Sequence, residues 1–202
     1  MAGLLVLLLY LIAVHYGVWT GEWRPAMVLL LALPLMAALE AGRRGYLPAA
    51  ALWSTIAVLI AVGQYRGLGE YLVHLPPLAI PAGLAVAFAV SLGPGQTPLV
   101  TRIATRMDGD LGERERRYTR GATLAWAAFL GLMAVATLAL SLFAPPAIWS
   151  LFANFLNYLL IGAFMLAELL LRGHLLPGRR EGVLPFLRRM GRLDRQRVLR
   201  GD

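Results

Sequence analysis

Residues 121–171 read GATLAWAAFLGLMAVATLALSLFAPPAIWSLFANFLNYLLIGAFMLAELLL, two long apolar stretches separated by little more than a pair of prolines. Each stretch exceeds the roughly 18 residues that a helix needs to cross the hydrocarbon core of a bilayer. Pro145 and Pro146 interrupt the run because proline lacks the amide hydrogen that a helix interior uses. The segment therefore predicts two membrane-spanning helices, 121–144 and 147–171, in a tight antiparallel hairpin.

The rest of the chain has the same apolar character. Of its 202 residues, 59% are hydrophobic and 15% are charged, whereas soluble domains carry roughly 25% charged residues. Four further apolar segments precede the hairpin, at 2–20, 25–41, 47–64 and 71–92. The sequence predicts an all-α polytopic membrane protein with about six transmembrane helices. This class excludes secreted disulfide scaffolds, nucleic-acid-binding modules and doubly wound nucleotide-binding folds.

The arginines predict the orientation of these helices. All 19 basic residues are arginine, and only Arg24 and Arg66 fall on one side of the predicted membrane. The other side carries Arg43, Arg44, the arginines of the loop 93–120 and those of the tail 172–202. The positive-inside rule then places both termini, the central loop and the tail in the cytoplasm. The second segment is short, and in a five-span alternative without it the N-terminus would lie outside.

Two amphipathic segments are expected on the cytoplasmic side. Leu99, Ile103 and Met107 recur at helical spacing and predict a short surface helix over 97–107, with Arg102 and Arg106 forming one cationic strip. In the tail, apolar and arginine residues of 184–199 fall on opposite arcs, which is typical of a basic amphipathic helix. Anchoring to anionic lipid is the favoured interpretation, and docking of an acidic partner or an anionic substrate is the alternative.

Polar side chains lie within the predicted hairpin. At 100° per residue, Asn154, Asn157, Tyr158 and Glu168 share one face of the last helix. The preceding helix presents a stripe that includes Thr119, Thr123, Trp126, Thr137 and Ser141. The two stripes are expected to meet, with hydroxyls bonding amides, either as ordinary interhelical hydrogen bonds or as a headgroup site. In the second interpretation Glu168 pairs with Arg120 or Arg172.

Several chemistries are excluded or disfavoured by residue types that are missing. The chain has no cysteine and no lysine, so thiolate and Schiff-base chemistry are absent. Its histidines, His15, His74 and His174, are far apart and form no metal-binding motif. We therefore expect no metal, no cofactor and no catalytic residue, and an enzyme is the less favoured class. A lone carboxylate such as Glu168 makes a poor case for catalysis.

Three stretches carry a family resemblance: PLVTRIATRM (98–107), RYTRGATLAWAAF (117–129) and WSLFANFLNYLLIGAFMLAELLLR (149–172). They resemble an uncharacterised family of bacterial inner-membrane proteins from aryl-polyene and xanthomonadin-type gene clusters, which also encode ketosynthases, acyl-carrier proteins and acyltransferases. The resemblance covers roughly residues 95–175, and the arginine-rich tail departs from it. The positions that carry it are Pro98, Thr101, Arg102, Tyr118, Thr119, Arg120, Thr123, Trp126, Trp149, Phe152, Asn154, Tyr158, Glu168 and Arg172.

The resemblance implies a setting of lipid-like polyene synthesis. We expect an inner-membrane accessory protein for the synthesis, handling or export of an acyl or polyene-type lipid, whose basic face receives an acyl-carrier protein, a ketosynthase or anionic membrane lipid. A small transporter or flippase is the first alternative, although the sequence lacks an evident inverted repeat. An intramembrane transferase is the second, although no His-x4-Asp motif is present. The candidate binding residues are Arg102, Arg106, Tyr118, Arg120, Thr123, Trp126, Asn154, Asn157, Tyr158, Glu168 and Arg172.

Overall fold

A computed structural model describes residues 2–175 of the chain. This part is 85% helical and contains no strand, which confirms the predicted all-α class. The predicted amphipathic helix 184–199, and with it most of the basic tail, lies outside the described residues.

The first three helices are joined by short turns. They are α1 (Ala2–Thr20), α2 (Arg24–Arg43) and α3 (Leu47–Tyr65). Prolines stand in the first turn of α2 and of α3, where the missing amide hydrogen costs no helical bond. Gly45 and Gly67 follow the ends of α2 and α3 with φ angles of +75° and +79°, a conformation that favours glycine. Since the connections are this short, α2 packs against both α1 and α3.

The predicted fourth span, 71–92, is not one continuous helix. It is divided into a single turn, α4 (Gly69–Leu72), and α5 (Leu75–Val90). A continuous helix would bond the Val73 carbonyl to the amide of residue 77, which is a proline and has no hydrogen to donate. The Tyr10 hydroxyl donates to that carbonyl instead, at 2.9 Å.

The C-terminal half begins with α6 (Leu99–Asp108) and α7 (Glu113–Phe143). The α6 range matches the predicted surface helix closely, whereas α7 begins eight residues before the predicted start of its span. Glu113 and Glu115 occupy the first turn of α7, where negative charge is favourable, and hydropathy alone does not detect this charged extension. After Pro145 follow α8 (Pro146–Leu151), a π-helical turn (Phe152–Leu156) and α9 (Asn157–Leu175).

Four helical stretches are long and apolar enough to cross a membrane. They are Arg24–Arg43, Leu47–Tyr65, Glu113–Phe143 and the continuous stretch Pro146–Leu175. The other two predicted spans correspond to shorter apolar helices, Leu8–Thr20 and Leu75–Val90. Many large apolar side chains on these helices are exposed, as expected where lipid rather than water surrounds a helix.

The chain forms two compact units. The first comprises Met1–Ala79 and Ala136–Tyr158. Its core is built around Trp149 and Tyr10, with Val14, Leu30 and Val73 packed against them. The second comprises Ile80–Val135 and the described part of the segment that begins at Leu159. It therefore contains most of α5, all of α6, about the first three quarters of α7 and most of α9.

Candidate functional site

In the second unit, α7 and α9 run antiparallel along each other. Tyr118, near the start of α7, contacts Glu168 near the end of α9. Eight residues further along α7, the ring of Trp126 lies 4.7 Å from that of Phe164, which is four residues earlier in α9. The two helices thus meet in the order that the predicted hairpin requires.

A groove of about 460 Å³ lies between these helices. This volume is within the range of small-molecule binding pockets. The wall on α7 is made of small residues, Gly121, Ala122 and Ala125, and these leave room that larger side chains would fill. The groove is lined by Arg117, Tyr118, Gly121, Ala122, Ala125, Phe164, Ala167, Glu168, Leu171 and Leu175.

The polar groups of the groove are concentrated at one end. The Tyr118 hydroxyl donates to both the carboxylate Oε1 and the main-chain carbonyl of Glu168, each at 3.2 Å. Arg172, one turn beyond Glu168, interacts electrostatically with this carboxylate. Arg117 forms an exposed ion pair of 2.8 Å with Glu113. This end can therefore accept hydrogen bonds at Glu168 and attract an anion at the arginines.

Phe164 lines the groove away from this polar end and belongs to a cluster of aromatic rings. Phe164 stacks on Phe129 with ring centres 4.3 Å apart and planes nearly parallel. Trp126 meets Phe164 edge to face, and Phe88 of α5 lies 6.0 Å from Trp126. A ligand in the groove would hence meet polar side chains at one end and an aromatic ring at the other, an arrangement that suits an amphiphile.

Thr119 and Thr123 of α7 bond α6, whereas the threonine stripe was expected to bond the amides of α9. The Thr101 and Thr119 hydroxyls are 2.7 Å apart and buried, and the Val100 amide donates to Thr123 Oγ1 at 3.2 Å. The buried face of α6 is formed by Leu99, Thr101 and Ala104. The predicted apolar face of Leu99, Ile103 and Met107 is only partly buried, because Ile103 and Met107 are half-buried. Hydropathy could not reveal this docking because two of the buried residues are threonine and alanine.

Two of the candidate arginines of the second unit bind main-chain carbonyls. Arg102 Nε donates to the Thr97 carbonyl at 3.0 Å, and Arg120 donates to the Leu92 carbonyl at 3.4 Å. Arg106 is half-buried one turn beyond Arg102 on α6. Arg120 thus holds the end of α5 beside α7, and it is Arg172 that interacts with Glu168.

The remaining candidates form a polar cluster in the first unit. Asn154 and Asn157 are buried, and Asn154 Nδ2 donates to Ser150 Oγ at 3.1 Å. Their amide oxygens, with the Trp149 indole nitrogen, have no hydrogen-bond partner among the described residues. Tyr158 is half-buried and packs against the core of this unit. Buried amide oxygens without a partner at or next to a π-helical turn mark a place where function is often found.

His15 joins this cluster from α1. Trp19 Nε1 donates to His15 Nε2 at 3.2 Å. In a neutral ring the hydrogen then resides on Nδ1, which lies 3.1 Å from Ser150 Oγ and donates to it. Trp19, His15, Ser150 and Asn154 therefore form one hydrogen-bonded chain between α1 and the helix that follows Pro145.

Sequence reasoning missed the apolar residues that line the groove. Gly121, Ala125, Phe164 and Ala167 carry no polar group and were not among the candidates. The spacing of Gly121 and Ala125, four residues apart on one helix face, is the signal that could have identified a small-residue wall. Among the side chains that the structure describes, no three His, Asp or Glu residues lie close enough together to hold a metal ion.

Comparisons of the chain with protein families, with curated proteins and with solved structures give no match.

Proposed function

We propose that this chain is a six-span protein of the bacterial inner membrane, with both termini in the cytoplasm, that binds an amphiphilic lipid in the α7–α9 groove. Its role would be that of an accessory protein in the synthesis, handling or export of an acyl or polyene-type lipid. The observation that carries the proposal is the separation of polar and aromatic side chains along the groove. Tyr118 and Glu168 lie at one end, and the ring of Phe164 lies at the other.

The groove suits a lipid chain for geometric reasons. From Arg117 to Ala125 it follows α7 for about 12 Å at the helical rise of 1.5 Å per residue. Its walls are apolar, so the chain of a lipid could lie there without leaving polar groups unsatisfied. The polar end adjoins the arginine-rich start of α7, which the positive-inside rule assigns to the cytoplasm. A headgroup at that end would face the compartment in which acyl chains are synthesised.

The basic cytoplasmic face supports the choice of partner. The net charge of the chain is +8, and the arginines are concentrated on the predicted cytoplasmic side. A basic surface speeds the encounter with acidic proteins, and acyl-carrier proteins are acidic. We propose an acyl-carrier protein or a ketosynthase as the soluble partner, on the strength of this charge and of the family resemblance.

Photo-crosslinking tests the groove. In nanodiscs that contain a phosphatidylethanolamine with a diazirine on one acyl chain, crosslinks are expected on α7 around 121–125 and on α9 around 164–171. A Cβ built at Gly121 meets no atom within 4 Å, so the side chain of Gly121→Leu begins in open space and is expected to fill the groove. Gly131 has equal room on the same helix but lies outside the groove lining, which makes Gly131→Leu the matched control. A severalfold loss of crosslinking in G121L alone supports the proposal, and equal labelling of the two variants contradicts it.

The partner is tested separately by purification from the native membrane. Mass spectrometry of the co-purifying proteins and lipids is expected to find an acyl-carrier protein or a ketosynthase, and their recovery should fall as salt is raised. Recovery of the lipid without such a partner would support lipid binding and contradict the accessory role in synthesis.

A small transporter or flippase is the second candidate, favoured by the buried amide oxygens of Asn154 and Asn157. Buried polar groups within membrane helices commonly line a substrate path. In liposomes that contain the protein and a fluorescent lipid, quenching from outside measures translocation. Translocation that is abolished by Glu168→Gln and by Asn157→Leu, with folded protein retained, would establish this function over the first.

A further inference from the structure

We propose a second lipid site, separate from the α7–α9 groove, for the phosphate headgroup of an anionic phospholipid. It lies in a hollow of about 680 Å³ between the end of α5 and the start of α6. The hollow and the groove have no lining residue in common, so this inference does not rest on the proposed function.

The lining of the hollow is divided into an apolar and a polar part. Gly83, Val86 and Val90 come from α5, while Gln96 and Thr97 come from the loop before α6. Arg102 of α6 is the charged residue among the lining side chains. Because the charge of the lining is positive, a phosphate is favoured over an amine or a neutral headgroup.

The geometry around Arg102 orients its guanidinium beside the hollow. Its Nε donates to the Thr97 carbonyl at 3.0 Å, so the side chain is held before a ligand arrives. A guanidinium that is fixed in this way loses less conformational freedom on binding, and its planar fork matches a phosphate. Thr97 and Gln96 are exposed at the rim, where a hydroxyl and an amide can bond further headgroup oxygens.

The amides at the start of α6 serve a different purpose. The Leu99 amide donates to Ser91 Oγ at 3.0 Å, and the Val100 amide donates to Thr123 Oγ1. Since side chains of the protein satisfy these amides, Arg102 rather than the helix terminus carries the affinity for the anion.

The apolar half of the lining indicates a lipid rather than a free phosphate. Val86 and Val90 are largely exposed on an apolar helix, and they continue the hollow away from Arg102. A phospholipid places a charged headgroup next to an acyl chain, and the two halves of the hollow match these two parts. Inorganic phosphate would use the polar half alone.

Native mass spectrometry of the detergent-solubilised protein tests the site. Phosphatidylglycerol is compared with phosphatidylcholine of the same acyl chains, and the anionic lipid is expected to bind preferentially. Arg102→Gln should weaken phosphatidylglycerol binding about tenfold, because a charge-assisted hydrogen bond contributes on that order. Arg114→Gln removes the same charge from an exposed arginine at the start of α7, outside the lining, and should leave the preference intact. Equal losses in the two variants would overturn the proposal.

Two further measurements identify the source of the phosphate. Val86→Trp fills the apolar half of the hollow and should reduce phosphatidylglycerol binding, and its helical content by circular dichroism verifies that the variant is folded. Unchanged binding by V86W would contradict the lipid assignment. An excess of inorganic phosphate is expected to leave the bound lipid in place, and efficient displacement would assign the hollow to a soluble phosphate instead.

Discussion

The Tyr118 hydroxyl donates to the carboxylate and the main-chain carbonyl of Glu168, 50 residues later in the chain. This single contact ties the start of α7 to the end of α9 and forms the polar end of the groove. A tyrosine can span such a helix pair because its ring packs like an apolar residue while its hydroxyl reaches a polar partner. The contact therefore has a structural role and, in the proposed function, a ligand-facing one.

Removal of the Tyr118 hydroxyl separates these two roles. Tyr118→Phe keeps the ring and loses the hydrogen bond, so we expect a loss of about 1 kcal/mol or less in unfolding free energy, the usual value for such bonds in membrane proteins. Glu168→Gln keeps an oxygen acceptor for Tyr118 and removes only the charge. Thermal unfolding in detergent should rank wild type and E168Q close together, with Y118F below them.

Lipid crosslinking should rank the two variants in the opposite order, with E168Q differing more from wild type than Y118F. Crosslinking of the diazirine lipid should change more in E168Q than in Y118F, since the charge at the polar end of the groove is lost in the first variant only. A groove that holds lipid without regard to headgroup would give equal crosslinking in both.

The hydrogen bonds around Thr119 predict an asymmetric mutational pattern. Thr119 Oγ1 donates its single hydrogen to the Arg116 carbonyl at 3.1 Å, so in the 2.7 Å contact Thr101 is the donor. Thr119→Val therefore leaves the buried Thr101 hydroxyl without its acceptor, whereas Thr101→Val leaves Thr119 bonded to Arg116. We expect T119V to destabilise the protein by about 1–2 kcal/mol and T101V by about half as much, measured by unfolding in detergent. Equal losses of stability in T119V and T101V would indicate that Thr119 donates its hydrogen to Thr101 rather than to the Arg116 carbonyl.

Hydropathy and periodicity predicted the helical class, the proline break before α8 and the antiparallel order of the last two long helices. They could not predict the docking of α6, because its contacts are made by threonines and a small alanine. They also could not predict the π-helical turn at Phe152–Leu156. A π turn closes with one more residue than an α turn, so a phase counted at 100° per residue does not continue from Asn154 into α9.

The candidate site was predicted in its polar part and missed in its apolar part. Tyr118, Glu168 and Arg172 were identified because polar residues in a membrane helix are conspicuous. Gly121 and Ala125 were missed because their small side chains create a groove only where a neighbouring helix packs against them. The sequence alone does not show which helix that is.

The break between α4 and α5 is stabilised by a hydrogen bond from the Tyr10 hydroxyl, so loss of this hydroxyl should destabilise the protein. Tyr10 is fully buried and bonds the Val73 carbonyl at 2.9 Å, where the following prolines can supply no amide hydrogen. Tyr10→Phe leaves that carbonyl unsatisfied, so we expect a loss of about 1–3 kcal/mol in unfolding free energy. Tyr16→Phe changes an exposed tyrosine of the same helix and should have no measurable effect. A similar melting temperature for the two variants would contradict a structural role for the Tyr10 bond.

The six-span topology can be tested on the native background, because the chain contains no cysteine that must first be removed. Single cysteines are introduced at Thr20, Leu68 and Asp110, all exposed residues between helices or at a helix end. In the six-span arrangement a membrane-impermeant maleimide added to intact spheroplasts labels T20C and L68C, while D110C reacts only after lysis. In the five-span alternative L68C is still labelled but T20C is protected, since α2 then does not cross the bilayer. Labelling of D110C in intact spheroplasts would contradict both arrangements, because it would place the arginine-rich loop outside against the positive-inside rule.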